Sequence, residues 1–341
     1  MPRGMLVKVG IMDHVDASGL PPAQHYETRL KLVEAMDRLD FYSYHVAEHH
    51  GTPLGLAPSP SVYLSAVAQR TRRLRFGPMV FVAALYHPMR LAEEICMLDQ
   101  MSGGRLQIGL GRGAVWPEHE LYGLDPSSIP ARYAEARDVL LQALTRATVN
   151  FTGEHFRVPN FNMVLRPYQS PRPPLWYGIG NPDSAVWAAA NDANVVSLQP
   201  AAVARRTLDR YREEWAKLGK PVDALPFLGL ARHVVVAESD AAAQRIARAA
   251  YPRWRASFSH LWEQRGLEVP VKLPREWDAL ERSGMSIAGT PPRVRDYLAE
   301  QAHGAGANFF LCQMVFGDIG YEDALRSLTL FSSGVAPELA A

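Results

Sequence analysis

Three short polar segments contain residue types that could carry chemistry. Glu48-His49-His50 combines a carboxylate with two imidazoles, which can act as general acids, general bases or metal ligands. In residues 109–113 the guanidinium of Arg112 stands among alternating glycines. A guanidinium pairs bidentately with phosphate, and glycine lets a ligand approach the backbone closely. Residues 180–184 open a helix, and the free amides at a helix start attract anions.

Each segment also has a plain structural interpretation. A histidine pair after a strand can belong to a polar, hydrogen-bonded surface, and Asn181 or Asp183 could simply cap the helix that follows. A metal site would need further ligands. Asp13, His14 and His87 are available, but no His-x-His or His-Glu-x-x-His pattern occurs. We therefore expect no bound metal.

Apolar runs and helical patterns alternate along the chain and must position these segments. The predicted strands are 6–12, 41–46, 74–83, 106–110, 175–179, 195–198, 227–237 and 308–315. The predicted helices are 23–39, 60–70, 88–101, 130–145, 182–191, 201–218, 240–251, 292–303 and 321–331. Eight β-then-α units predict an α/β fold, in which a parallel sheet closes into a (β/α)8 TIM barrel. A doubly wound open sheet is the alternative.

Two stretches interrupt this alternation. Residues 150–174 combine aromatics and glycine with five prolines, which indicates an excursion with hairpin character. Residues 252–285 are rich in Trp and Arg. We expect one domain, 1–341, with insertions at about 150–174 after strand 4 and 252–285 after strand 7.

The three polar segments follow the second, fourth and fifth predicted strands. The chemistry of a (β/α)8 barrel lies at the carboxyl ends of its strands, so the three segments should share one mouth. Loops after neighbouring strands adjoin, which puts Arg112 beside residues 180–184 as a phosphate site. The apolar residues 82–85 after the third strand predict a pocket wall.

Composition excludes several classes of function. The 341 residues are 48% hydrophobic and 21% charged, as in an ordinary globular protein. A net charge of +1, from 36 basic and 35 acidic residues, gives no overall attraction to nucleic acid or membranes. The N-terminus lacks the apolar core of a signal peptide, and no run of 18 apolar residues occurs. Cys96 and Cys312 are expected to be buried free thiols, which favours a cytoplasmic location.

Several motifs resemble those of the bacterial luciferase-like flavin monooxygenases. The resemblance covers about residues 6–335. Its pieces are FYSYHVAEHH (41–50), residues 87–113, ELYG (120–123), residues 180–184 and Gly289-Thr290-Pro291. It implies a (β/α)8 barrel, usually dimeric, that binds reduced FMN. In that family dioxygen adds to the reduced flavin, and the resulting flavin hydroperoxide oxygenates an aldehyde, ketone, alkane or related small molecule.

The resemblance also implies roles for particular residues. His49 matches the catalytic histidine, which would act as acid or base, and Arg112 matches the phosphate arginine. The residues that match the phosphate-binding turn are Gly180, Asn181 and Ser184. A cis peptide beneath the flavin ring would fall at Met79–Val80.

Other positions depart from the luciferase pattern or line its pocket. Gly111 replaces a reactive cysteine, and Gly180 replaces an acidic residue. Gln199 replaces a tryptophan and would give the flavin or the substrate a more polar flank. Val82 would belong to the apolar wall of the substrate pocket.

Three alternatives to this function stay open. Relatives of the same fold use a deazaflavin for hydride transfer, but they tend to carry Asp-His where this chain has Glu48-His49-His50, which favours FMN. A metal-dependent hydrolase could use His49, His50 and Asp13, and a silent subunit could merely support a partner. The expected partners are a small organic substrate, dioxygen and a second copy of the chain. The flavin would be reduced either in place or by a separate reductase.

Overall fold

A ring of parallel strands forms the centre of the computed structural model, which describes residues 7–270 and 273–339. The strands are β1 Lys8–Asp13, β2 Ser43–Val46, β3 Arg75–Pro78, β4 Phe81–Val82, β5 Ile108–Gly111, β6 Thr148–Thr152, β7 Arg157–Asn162, β8 Leu175–Gly178, β9 Asn194–Ser197, β10 Leu228–Val236, β11 Ser286–Gly289 and β12 Phe309–Gln313. The α-helices are α1 Pro22–Arg38, α2 Pro60–Arg70, α3 Pro88–Ser102, α4 Trp116–Leu121, α5 Ile129–Thr145, α6 Pro182–Ala190, α7 Ala201–Lys217, α8 Asp240–Gln264, α9 Trp277–Arg282, α10 Pro291–Ala305, α11 Tyr321–Gly334 and α12 Ala336–Leu339. Residues 1–6, 271–272 and 340–341 of the predicted domain, including Leu6 of the first predicted strand, lie outside the described residues.

The barrel closes because one segment contributes to both ends of the sheet. The strand order is β3-β2-β1-β12-β10-β9-β8-β5-β4, and neighbours run parallel. β3 and β4 both belong to the single segment 75–82. β3 pairs with β2 at one end of the sheet, and β4 pairs with β5 at the other. A parallel bridge between Phe76 and Leu106 adds to the closure. The predicted TIM barrel is confirmed.

The third predicted strand, 74–83, is wrong as a continuous element. The backbone N–H of Met79 donates to the carbonyl of Val46 at 2.7 Å, and the Met79–Val80 peptide bond is cis, as the resemblance implies. Met79 lies inside the barrel in a cluster with Trp176 and Phe309. The segment therefore turns inward at this point and changes its pairing partner from β2 to β5.

The alternating glycines of β5 make room for this turn. A Cβ at Gly109 would lie 2.3 Å from the carbonyl oxygen of Pro78, and one at Gly111 would lie 2.5 Å from Cγ2 of Val80. The pattern that suggested close approach of a ligand is thus explained, at these two positions, by close approach of the neighbouring strand.

We expect Gly109→Ala to lower the free energy of unfolding by about 1–3 kcal/mol, the usual cost of overpacking. The clash falls on a backbone oxygen, which cannot move aside like the end of a flexible side chain. Gly178→Ala on the adjacent β8 is the matched control, since a Cβ there meets no atom within 4 Å. Urea denaturation measures both, and equal midpoints for the two variants would show that the close packing is unimportant.

The predicted helix 240–251 ends too early, because α8 continues through Pro252 to Gln264. A proline inside a helix costs about 3 kcal/mol. The continuation buries Trp254 and Trp262, which are 4% and 2% exposed. Burying roughly 150–250 Å² of each ring stabilises by roughly 4–6 kcal/mol. The two rings together outweigh the cost of the proline.

The hairpin character predicted for residues 150–174 is confirmed, whereas the end of α8 and α9, which lie in residues 252–285, were not predicted. β6 and β7 form an antiparallel hairpin over residues 148–162. β11 pairs in parallel with the last part of β10, from His233 to Val236. β11 was missed because a strand of four residues is too short to show a clear periodicity in the sequence.

The main hydrophobic core lies between the barrel strands and the outer helices, and a smaller cluster fills the barrel interior. Cys96 and Cys312 are buried and unpaired, as expected. None of the helices in residues 7–270 and 273–339 combines the length and the apolarity that crossing a bilayer requires.

Candidate active site

A cavity of about 390 Å³ lies at the carboxyl ends of the barrel strands, within the usual size range of ligand sites. Its wall is largely apolar, with Met12, Val82, Val196, Leu198, Ala231 and Phe258. The predicted site residues that line it are His49, Met79, Val80, Val82, Gly180 and Gln199. Arg112, Asn181 and Ser184 do not line it, but Arg112 and Asn181 adjoin Gly113 and Gly180, which do, and Ser184 is hydrogen-bonded to Asn181.

His49 is held by a carboxylate that the sequence did not reveal. Its Nδ1 lies 2.9 Å from Oε1 of Glu118, whose side chain is 2% exposed. Glu118 belongs to α4, which has only six residues and so shows no helical periodicity. The signal that could have found it is Pro117 followed by an acid, which is typical of a helix start. With Nδ1–H donated to the carboxylate, Nε2 of His49 is left to accept a proton.

Glu48 and His50 form a separate, buried pair. Nε2 of His50 lies 2.9 Å from Oε1 of Glu48, while Oε2 accepts the backbone N–H of Val82 at 3.0 Å. The hydroxyl of Tyr122 lies 2.7 Å from Nδ1 of His50. Glu48 therefore orients His50 rather than His49, and it connects the end of β2 to β4.

Asp13 does not join the histidines. Its carboxylate accepts from the backbone N–H of Val15 at 2.7 Å and from the hydroxyl of Tyr44 at 3.0 Å, and it lies 3.8 Å from the guanidinium of Arg29. His87 precedes α3 and contacts the ring of Phe156. Within the described residues, no three His, Cys, Asp or Glu side chains are grouped to hold a metal ion. The arrangement that the metal-dependent hydrolase requires is not formed there.

Arg112 and the start of α6 lie on neighbouring loops. β5 and β8 are paired from Ile108–Leu175 to Leu110–Tyr177, so Arg112 and Gly180 follow adjacent strand ends. The side chain of Arg112 is exposed, and within residues 7–270 and 273–339 it has no carboxylate partner. This leaves a free cation at the rim of the cavity.

Asn181 caps α6, as one of the two sequence interpretations proposed. Its side-chain oxygen accepts the N–H of Ser184 at 3.0 Å, and the Ser184 hydroxyl donates to the Asn181 carbonyl at 2.6 Å. The first amides of a helix have no intrahelical acceptor, and the cap satisfies only that of Ser184. The N–H of Asp183 remains available for another acceptor, whereas Pro182 has no backbone N–H to donate.

Two features of the cavity suit a planar, polar-edged ligand. A Cβ added at Gly178 or Gly180 would meet no atom within 4 Å, so the backbone at the end of β8 and just after it faces open space. Gln199 donates its Nε2–H to the Gly180 carbonyl at 3.0 Å, while its Oε1 is buried without a partner in the described residues. The backbone carbonyl of Gln199 is fixed by Arg232 at 3.1 Å.

His14, which follows β1, is the second imidazole of the cavity. Its ring is stacked on that of His49 with centroids 5.6 Å apart, and Trp254 donates its indole N–H to Nδ1 at 3.4 Å. Burial lowers the pKa of His14 well below its ordinary value, and His49, His233 and Arg29 lower it further. His14 is therefore neutral at pH 7. The sequence suggested this residue only as a metal ligand.

Comparison with known proteins gives matches over nearly the whole chain. Residues 1–308 match the family described as luciferase-like monooxygenase. The chain is 44% identical over 324 residues to the uncharacterised protein y4wF of Sinorhizobium fredii, covering 95% of each. It is 29% identical over 225 residues to the oxygenase component of the flavin-dependent trigonelline monooxygenase of Acinetobacter baylyi, covering 65% of this chain and 62% of that protein.

Solved structures share the architecture. Monooxygenase RslO1 from Streptomyces bottropensis has a TM-score of 0.88 and 25% identity, covering 98% of this chain and 100% of that one. The oxygenating constituent of 3,6-diketocamphane monooxygenase of Pseudomonas putida, in complex with FMN, has a TM-score of 0.82 and 18% identity, covering 97% and 98%. The coenzyme F420-dependent tetrahydromethanopterin reductase of Methanopyrus kandleri has a TM-score of 0.71 and 19% identity, covering 98% and 99%. The last two likenesses show a shared fold.

Proposed function

The chain belongs to the luciferase-like monooxygenase family, and on this premise we propose that it uses reduced FMN and dioxygen to oxygenate a small organic molecule such as an aldehyde, ketone or alkane. The observation that carries the proposal is one apolar cavity with a carboxylate-bound imidazole in its wall and, at its rim, a guanidinium that has no carboxylate partner among the described residues. The relative named as the oxygenase component of a flavin-dependent monooxygenase supports a flavin as the cofactor.

Arg112 and the start of α6 would hold the FMN phosphate. A guanidinium offers parallel N–H donors that match phosphate oxygens, and the helix start adds partial positive charge. The amides of Gly180 and Asn181 lie next to this point, and the Ser184 hydroxyl would donate to phosphate after turning away from the Asn181 carbonyl.

The flavin ring would lie against the inward turn of Met79 and Val80. The bare backbone at Gly178 leaves room for a flat ring system, and the Oε1 of Gln199, which has no partner in the part of the chain that the structure describes, could accept a ring N–H. Bound reduced FMN supplies the two electrons that activate dioxygen. The residues present therefore fit the cofactor at its phosphate and at its ring.

His49 would supply the acid–base group. Its side chain lines a largely apolar cavity, and the contact of Nδ1 with Glu118 orients the ring and leaves Nε2 available. Such a positioned imidazole gives or takes the proton that oxygen activation and substrate oxygenation require. Val82, Leu198 and Phe258 would exclude water, so that reducing equivalents are not lost as hydrogen peroxide.

We also propose that the chain works as a homodimer and receives reduced flavin from a separate reductase. Val62 on α2 is 71% exposed, and Met97 and Met101 on α3 are 53% and 48% exposed, so adjacent outer helices carry bare apolar side chains. Exposed apolar surface of this kind is typical of interfaces. Light scattering should give a mass of two 37.8 kDa chains, and a monomer would contradict the homodimer.

Isotope labelling tests the proposed reaction. Purified protein is mixed with photoreduced FMN and ¹⁸O₂ in the presence of a panel of aldehydes, ketones, alkanes and alkenes. Incorporation of one ¹⁸O atom into an organic product is expected. Oxygen-independent reduction of a substrate by a reduced deazaflavin, with no labelled product from FMN, would overturn the proposal.

A further inference from the structure

The two imidazoles of the cavity have their protons fixed by different neighbours. His49 donates its Nδ1–H to Glu118, so in the neutral ring its Nε2 is an acceptor. His14 accepts the indole N–H of Trp254 at Nδ1. A neutral imidazole has one donor and one acceptor nitrogen, so His14 carries its hydrogen on Nε2. The cavity thus presents an N–H donor and a nitrogen acceptor side by side.

The His14 ring is held in one orientation. It is stacked on His49 with an interplanar angle of 18°, and it meets Trp254 edge-on at a centroid distance of 5.6 Å. Within the part of the chain that the structure describes, its Nε2 has no hydrogen-bonding partner. The wall of the cavity is largely apolar and includes Met12 and Ala231.

We propose that His14 determines substrate specificity by donating Nε2–H to a hydrogen-bond-accepting atom of the substrate, such as a carbonyl or hydroxyl oxygen. A ligand that fills the cavity displaces water from this donor, and a buried donor left unpaired is costly. Substrates with an acceptor at this point are therefore favoured over hydrocarbons of the same shape. The proposal rests on the proposed function, since it concerns the substrate of the same cavity.

Two matched probes test this donor: cyclohexanone and methylenecyclohexane, which differ only in an oxygen replaced by a CH₂ group. Their binding to the FMN-loaded protein is measured by headspace gas chromatography. His14→Phe keeps an aromatic ring but removes the donor. It should weaken binding of the ketone about 5- to 10-fold, the usual effect of losing one neutral hydrogen bond, and change binding of the alkene less than about twofold.

Further variants separate the hydrogen bond from the shape of the site. His14→Gln offers an amide N–H in place of the imidazole N–H and should restore most of the preference for the ketone. Trp254→Phe keeps the packing but frees Nδ1 to carry the hydrogen, so the preference should fall. His87→Phe, the same substitution outside the cavity, should leave both probes unaffected. ¹⁵N spectra of labelled histidine should show His14 protonated on Nε2.

Each outcome decides the matter. Unchanged ketone binding in His14→Phe would overturn the proposal, because the N–H donor would then contribute nothing. Equal weakening of the binding of both probes would also overturn it, because the ring would then act only through its shape. FMN absorbance in the same samples reports cofactor binding. If FMN does not bind, the proposed function fails, while the two probes still test His14 in the cavity itself.

Discussion

His49→Ala should lower the rate of substrate oxygenation by about 10²- to 10⁴-fold, the usual contribution of a positioned acid–base group. The side chain lines the cavity, and its Nδ1 lies 2.9 Å from Oε1 of Glu118. Its removal deletes the group that carries the proton and leaves the Glu118 carboxylate with no imidazole to orient. Oxygen consumption should continue but yield hydrogen peroxide. Product formation and peroxide are measured together under saturating reduced FMN.

Glu118→Gln gives a graded comparison. It keeps the size of the side chain but loses the charge that orients His49, so its loss of turnover should lie between those of the parent and His49→Ala. The dissociation constant of FMN should stay within about twofold of the parent in both variants, because neither residue belongs to the phosphate site. Full coupled turnover in His49→Ala would contradict the acid–base role.

Arg112→Ala should raise the dissociation constant of FMN by about 10- to 150-fold. A hydrogen-bonded charge pair is worth about 1.5–3 kcal/mol, and the guanidinium has no competing carboxylate in the described residues. The dissociation constant of Arg112→Lys should lie between those of the parent and Arg112→Ala, since lysine keeps the charge but not the paired donors. Equilibrium dialysis or fluorescence titration gives the constants.

Riboflavin is the control for Arg112, because it has the same ring system without the phosphate. The parent and Arg112→Ala should bind riboflavin equally. If the substitution weakened the binding of riboflavin and of FMN by the same factor, Arg112 would act on the ring or on the fold rather than on the phosphate. An unchanged affinity for FMN would place the phosphate elsewhere.

The barrel could be predicted from sequence because each strand is a short buried run with a helix after it. Where the prediction was wrong, tertiary contacts overrode a local signal. Residues 74–83 are apolar apart from Arg75, yet Met79 turns inward and divides them between two pairing partners, β2 and β5. Pro252 signals a helix end, yet the burial of Trp254 and Trp262 carries the helix onward.

The position of the site could be predicted from the topology, but the hydrogen-bond partners of its histidines could not. Parallel strands place residues such as His49 and Gly180 at one end of the barrel, and the structure has both in the cavity wall. Their partners come from distant parts of the chain, which no local pattern encodes. Glu118 is 69 residues from His49, and Trp254 is 240 residues from His14.

Anaerobic titration of the purified protein with reduced FMN, in competition with a reduced deazaflavin, tests the account most directly. We expect one reduced FMN to bind per chain, to be displaced only weakly by the deazaflavin, and to lose affinity in Arg112→Ala. No binding of FMN in either redox state, or a clear preference for the deazaflavin, would contradict the account.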